Sequence, residues 1–367
     1  AEAKGKEYLG PAYAAAGGTL GTFVGAVFGL LFLLFVLFIY RKVIRKQLRR
    51  DHTTYQEEYG TIFPILLMTI LPVILSTAVY QSTKILDAGI FSNVMSAQGM
   101  AKEKYETLWG MYTGKFNTLV NVPLAIANAI GASVIPSLTA AMTLGDRRLV
   151  HSKIRLATRF SMLISIPSTI GYMVLAKPIM NLLFNGNNST PALLLITGAI
   201  TITFYSLSTI TNAMLQGIDR MTTPIKNAAI SLVIHLISLF IMLVVLKMNI
   251  FAVIGSTIVF SLSMCILNGR ALGKAIGYHQ EYYKTFILPL IASIIMGVVA
   301  FIVQIALTNI VPEKVATVIS VCVAIVIYSL ALLLLGGLTE NEILAMPKGR
   351  KLAGLLKKLH LLREEEV

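Results

Sequence analysis

Charge is scarce in this chain. Only 13% of its 367 residues are Asp, Glu, Lys or Arg, with 17 acids against 31 bases. Cysteine is scarcer still: Cys265 and Cys322 are the two it has, and both sit inside apolar runs. That leaves no material for a disulfide framework or a thiolate metal centre, and both read as small packing residues. Glycine-rich phosphate loops, metal-ligand pairs and nucleophile motifs are also missing, and no connector is long enough to house an enzyme domain. These shortages predict a protein that is not an enzyme and that needs no cofactor and no metal.

What is present in excess is hydrocarbon. The chain is 56% hydrophobic with a mean hydropathy of +0.77, too apolar for a soluble protein of this length. Nine apolar runs can be marked, at residues 10–40, 61–91, 116–144, 160–184, 192–216, 224–247, 249–268, 286–310 and 315–338. Each approaches or exceeds the about 20 residues that a helix needs to cross a hydrocarbon core. The runs are continuously apolar rather than alternating, which calls for helices and not for barrel strands. The predicted fold class is an all-α polytopic membrane protein.

The connectors alternate in charge. Those after the first, third, fifth, seventh and ninth runs hold 22 of the 31 Lys+Arg, including all twelve arginines. Basic connectors stay on the cytoplasmic side, so the N-terminus is expected outside and the C-terminus inside an inner-membrane-type bilayer. The net charge of +14 then reads as topology and contact with anionic membrane lipids, with no nucleic acid among the partners. An external start without a leader or an initial Met predicts that upstream sequence precedes this portion.

Within the runs, Gly17, Gly21, Gly25 and Gly29 recur at four-residue spacing, a face on which another backbone packs closely. Arg41 to Arg50 is a cytoplasmic anchor. Pro64 and Pro72 in the second run, and Pro123 and Pro136 in the third, predict bent helices around a cavity. Asn117, Asn121 and Asn128, together with the Thr/Ser-rich fifth run around Thr197, Thr201, Thr209 and Asn212, either bond back to their own helices or wall a polar cavity. After the ninth run, Leu352, Leu355, Leu356, Leu359 and Leu362 share one face of an interfacial helix.

Only three ionisable side chains lie clearly inside the runs: Lys84, Asp87 and His235. A charge at a helix centre costs roughly 2.5–3.5 kcal/mol on insertion scales, so each needs a reason. Lys84 and Asp87 are three apart and face the same way, either as a mutual salt bridge or as contacts for an ion or headgroup. His235 lies mid-run, beyond the reach of water. It is either a neutral ring bonded to a neighbouring hydroxyl or part of a proton- or cation-linked site shared with Ser231, one turn earlier.

Several stretches carry a resemblance. They are Leu108-Trp109-Gly110-Met111-Tyr112-Thr113-Gly114-Lys115, Asn121-Val122-Pro123-Leu124-Ala125-Ile126-Ala127-Asn128, Ile135-Pro136-Ser137, and Leu215-Gln216-Gly217-Ile218-Asp219-Arg220-Met221 with Pro224 and Asn227. The chain resembles the polysaccharide-biosynthesis branch of the multidrug/oligosaccharidyl-lipid/polysaccharide flippase superfamily, nearest to stage V sporulation protein B-like members, relatives of the lipid II flippases. The resemblance implies a C-terminal portion of a fourteen-helix fold. Residues 1–50 would hold the last helix of the first lobe and a basic linker, 51–280 the second six-helix lobe, 281–338 two additional helices and 339–367 a cytoplasmic tail. It implies outward movement of a lipid-linked oligosaccharide or peptidoglycan precursor by alternating access, with H+ or Na+ as coupling cation. Asp87 falls where some relatives place a sodium-binding acid. Where those relatives have an Asn-x-x-x-Asp pair, this chain has Ser231 and His235.

The pathway candidates are therefore Lys84, Asp87, Asn121, Asn128, Ser231 and His235. Two alternatives compete: a cation-coupled multidrug exporter, which needs a compact acidic cavity, and a membrane-embedded glycosyltransferase or polymerase, which needs external carboxylates where this chain offers mainly Lys102, Glu103, Lys104 and Glu106. The threading is checked by cysteine labelling in intact cells. Cysteines replacing Asn187 and Lys314 are expected to react with an impermeant reagent, and those replacing Arg148 and Arg270 to stay silent. Labelling of Arg148→Cys from outside would overturn the topology.

Overall fold

The computed structural model describes residues 10–50 and 58–337. It divides into two compact units, Ala1–Leu66 and Leu67–Val367. The interfacial helix predicted after the ninth run lies outside the described residues. Every described element is helical, as an apolar solvent demands when backbone groups can bond only within their own segment.

In the first unit, α1 (Gly10–Arg50) is one 41-residue helix that carries the first run and its basic anchor. A Cβ added at Gly17, Gly21, Gly25 or Gly29 would meet nothing within 4 Å. Within the first unit the glycine stripe specifies a surface to which no other backbone is brought.

The remaining helices are α2 (Tyr59–Ala97), α3 (Lys102–Gly110), α4 (Asn117–Thr143), α5 (Arg147–Val174), α6 (Ala176–Leu183), α7 (Ser189–Gly198), α8 (Ile200–Gly217), α9 (Thr222–Phe240), α10 (Ile250–Ile276), α11 (Leu288–Thr308) and α12 (Glu313–Leu334). Six helical stretches, α1 among them, are long and apolar enough to cross a membrane, and eight if each of two bent pairs counts as one span. With α2 carrying the second run over 39 residues, all nine runs lie on helices.

Three details differ from the sequence reading. The third span starts early: α3, a wide π-type turn at Met111–Phe116 and α4 run on from Lys102 to Thr143, so Lys102 to Glu106 open a helix rather than a loop. The fourth run is split, with α6 leaving α5 at 86°. Pro178 stands third in α6, and a first-turn proline costs a helix start nothing because its missing N–H would be unpaired there anyway. The fifth run bends by 46° between α7 and α8. Gly198, at the end of α7, lies against the Phe116 ring so closely that a Cβ would stand 2.6 Å from it.

In the second unit α8 is central: it packs on α4, α5 and α10, while α9 packs on α10 and α11 on both α5 and α12. The outward faces are hydrocarbon. Val233, Ile237 and Phe240 of α9, Val298, Phe301 and Ile305 of α11, and Ile325 and Val326 of α12 are all exposed. An apolar surface this continuous is a lipid-facing surface. Between helices, Asn227 Nδ2 donates to Asn268 Oδ1 at 2.8 Å and Asn268 Nδ2 to the Ser208 carbonyl at 3.4 Å, tying α9, α10 and α8 together.

Two of the interior prolines set a problem that the bundle solves with tyrosines. Pro123 of α4 and Pro167 of α5 lack the N–H that would serve the carbonyls four residues back, those of Leu119 and Leu163. The Tyr172 hydroxyl donates to the Leu119 carbonyl at 3.2 Å, and the Tyr328 hydroxyl to the Leu163 carbonyl at 2.9 Å. Each freed acceptor is thus capped from a neighbouring helix. Removing the cap strands a buried acceptor at a cost of about 1–3 kcal/mol. Tyr172→Phe is expected to lower the thermal midpoint in wild type but much less in a Pro123→Ala background, where residue 123 regains its own N–H. Equal losses in both backgrounds, read by thermal denaturation in detergent, would refute the capping role.

Candidate functional site

Inside the second unit lies a cavity of about 480 Å³ walled by α2, α3–α4, α8 and α10, within the size range of ligand sites. Each wall is one helical face. On α2 it is Thr77, Gln81 and Lys84, with Asp87 beyond; on α4, Asn117, Asn121 and Asn128; on α8, Thr201, Tyr205, Thr209 and Asn212. These spacings of three, four and seven keep side chains above one another along a helix. The π-type turn at Met111–Phe116 sets Tyr112 and Phe116 into the wall just ahead of Asn117. It sits where such turns are often found, at a site that needs side chains re-aimed. Tyr112 stacks on Phe116 with centroids 5.5 Å apart and reaches Phe91 of α2 through Trp109.

The charged groups do not pair as neighbours. Asp87 is 3% exposed, and its Oδ1 meets His235 Nε2 of α9 at 2.7 Å. Lys84 stays exposed on the cavity wall, without an ion pair among the described residues. The mutual Lys84–Asp87 salt bridge, one of the two expected readings, is replaced by a contact between helices. Both residues share one face of α2 at the cavity wall, and it is the ring brought up by α9 that engages Asp87 while Lys84 stays open to the cavity. The two groups share a proton in this contact, and which of them donates follows the tautomer of the ring.

His235 is itself 1% exposed, edge-on to Phe260 at 5.8 Å. The Ser256 backbone stands beside its ring, yet Nδ1 completes no hydrogen bond, and neither does the fully buried Ser231 Oγ one turn earlier. Of the six sequence candidates, Lys84, Asp87, Asn121 and Asn128 line the cavity. His235 is joined to it through Asp87, and Ser231 is buried without reaching the lining. The reading of His235 as bonded to a neighbouring hydroxyl is corrected, since a carboxylate takes that place.

For the polar fifth run both readings hold at different residues. Thr197 and Thr211 bond back to Leu193 and Leu207, while Thr209 and Asn212 face the cavity. Sequence reasoning missed Thr77 and Gln81, although their spacing with Lys84 was a signal. It also missed Thr257, whose place on α10 had none. Among the described residues no group of three or more His, Cys, Asp or Glu is arranged to hold a metal ion.

An apolar helical bundle that keeps a polar cavity and a buried acid–histidine contact in its interior is a polytopic membrane protein. The chain matches the family "Lipid II flippase MurJ" over residues 5–321 and belongs to that family. It is similar to the lipid II flippase MurJ of Bacillus subtilis (strain 168), with 25% identity over 223 residues, 60% of this chain and 40% of that protein. A solved structure, lipid II flippase MurJ in an inward closed conformation, shares the fold with a TM-score of 0.54 at 17% identity, covering 76% of this chain and 56% of that one. The chain thus spans less than two thirds of the length of either relative.

The contact between α2 and α9 is testable by a double-mutant cycle. Breaking a buried charged pair from one side costs about 3–5 kcal/mol, so Asp87→Asn and His235→Gln are each expected to lower the thermal midpoint, with the double variant well short of their sum. Lys84→Gln should change stability by less than about 0.5 kcal/mol. Strict additivity of the first two would dissolve the pair.

Proposed function

We propose that this chain forms the C-terminal portion of a flippase that moves a lipid-linked sugar of the peptidoglycan-precursor type outward across the cytoplasmic membrane. The observation that carries this reading is the polar cavity with Asp87 and His235 at its wall, in a chain of the lipid II flippase MurJ family. In the proposed cycle the arginine-rich connectors and the C-terminus face the cytoplasm. The headgroup occupies the cavity while the lipid tail stays in hydrocarbon, and helices rock about the site to expose it to either side. Residues 51–280 act as the second lobe, 281–338 as the additional pair and 339–367 as the cytoplasmic tail. No bond is made or broken, so the protein acts as a transporter and not as an enzyme.

Asp87 and His235 serve as the coupling site. With His235 Nε2 on Asp87 Oδ1, a proton is favoured over Na+ as the coupling ion, because the ring holds the position that a metal ion would take. The multidrug-exporter reading is weaker, since Asp87 is the one acid of the lining and is already engaged. The glycosyltransferase reading is weaker too: Glu103 and Glu106 lie along α3, where Lys102 pairs with Glu106 on an exposed face.

The test uses the full-length gene product in proteoliposomes with a fluorescent lipid-linked disaccharide. Asp87→Asn is expected to slow outward translocation at least about tenfold, equivalent to one strong interaction lost in the cycle, and more than Lys84→Gln does. Exchanging the two as Lys84→Asp with Asp87→Lys should not restore it. His235→Gln should flatten the pH dependence. Normal translocation by Asp87→Asn would remove the coupling role, and no translocation by the wild type would remove the function.

A further inference from the structure

The cavity wall has a chemistry more specific than polarity. Of its lining side chains two carry charge, Lys84 and Asp87, and Asp87 is bound to His235. The walls on α4 and α8 are neutral and carry carboxamides, Asn117, Asn121 and Asn128 on α4 and Asn212 on α8, and Gln81 adds one on α2. Asn121 and Asn128 make no hydrogen bond to the protein among the described residues, and Asn212 Oδ1 is buried without a partner.

We propose that Asn121, Asn128 and Asn212 form a sugar-reading wall that selects the neutral, hydroxyl- and acetamido-bearing part of the headgroup, apart from its phosphates. This rests on the flippase reading and names what that cavity recognises. A carboxamide offers two donors and one acceptor with two lone pairs on a planar group. Sugar hydroxyls and acetamido groups likewise give and take hydrogen bonds, so the two chemistries match. A phosphate uses only the donor half of a carboxamide, and Lys84 is the single cation that the lining gives it. Asn121 and Asn128 stand seven residues apart, about 10 Å along the helix axis, far enough to address two linked pyranose rings. Asn212 Oδ1 is buried without a partner, so a sugar donor satisfies it once the side chain turns into the cavity. A ligand lacking that donor leaves the acceptor stranded, which is how a hydrogen-bonding site discriminates.

The experiment measures binding of two probes to the full-length protein in detergent: undecaprenyl diphosphate, and the same lipid carrying an N-acetylated disaccharide. Wild type is expected to prefer the sugar-bearing lipid at least about tenfold, the ratio carried by one to two hydrogen bonds. Asn128→Leu and Asn121→Leu, at positions open to the cavity, should erase most of that preference by weakening the sugar-bearing probe. Lys84→Gln should instead weaken both probes alike. Asn212→Leu is read with them when its thermal midpoint matches wild type, and the two α4 variants decide the matter when it does not. Wild type that binds both probes equally, or asparagine variants that keep the preference or lose both probes in parallel, would overturn the sugar-reading wall. Wild type that binds neither probe would instead overturn the flippase reading itself.

Discussion

The cavity depends on one contact between two helices that are remote in the chain. Asp87 of α2 and His235 of α9 are 148 residues apart in sequence and 2.7 Å apart in space. Beside that contact stand the Phe91–Trp109 stack at 5.6 Å and, just past the end of α2, Gln98 Nε2 donating to the Leu243 carbonyl at 3.0 Å. In water such a pair would be worth little. Here a carboxylate separated from its donor would stand in a poorly hydrated interior, and the cost of that state binds the two helices more than their mutual attraction does. With α2 held this way, Gln81 and Lys84 close one side of a chamber whose other sides are α4, α8 and α10.

The same arithmetic governs the backbone. Hydrocarbon offers no hydrogen bonds, so a proline in a helix interior must be compensated by another part of the protein. Tyr172 and Tyr328 supply hydroxyls to the carbonyls that Pro123 and Pro167 leave open. The bend that each proline permits is thereby fixed to a neighbour instead of being left soft. Since α4 carries Asn121 and Asn128 on either side of Pro123, the Tyr172 cap also sets the relative aim of the two asparagines.

Much of the fold was legible because bilayer physics writes it in long strokes. All nine runs fell on helices, since a stretch of apolar residues long enough to span has no other stable form in lipid. The faces of the site were half legible. Asn121 and Asn128 stand out as amides among hydrocarbon at helical spacing, and both line the cavity. What sequence reasoning could not supply was the partner of Asp87. Lys84 lies one turn away and Asp87 was read against it, but adjacency along a helix says nothing about which face meets α9. The 86° turn after Val174 was visible only as Pro178, which marks a helix start as readily as it marks a kink. The glycine stripe of α1 shows the opposite limit: its pattern is plain, and nothing within its own unit packs against it.

These constraints meet on α2. Lys84 faces the cavity and Asp87 faces His235, with less than one helical turn between them. A rigid helix cannot move one of these side chains without moving the other. On the proposed reading, a headgroup drawing on Lys84 and a proton arriving at the Asp87–His235 contact therefore act on a single element, which is the physical requirement for coupling two ligands. The neutral amides of α4 and α8 stand apart from that element, on helices packed directly on one another. Recognition of the sugar then draws on α4 and α8, while the charged groups ride together on α2.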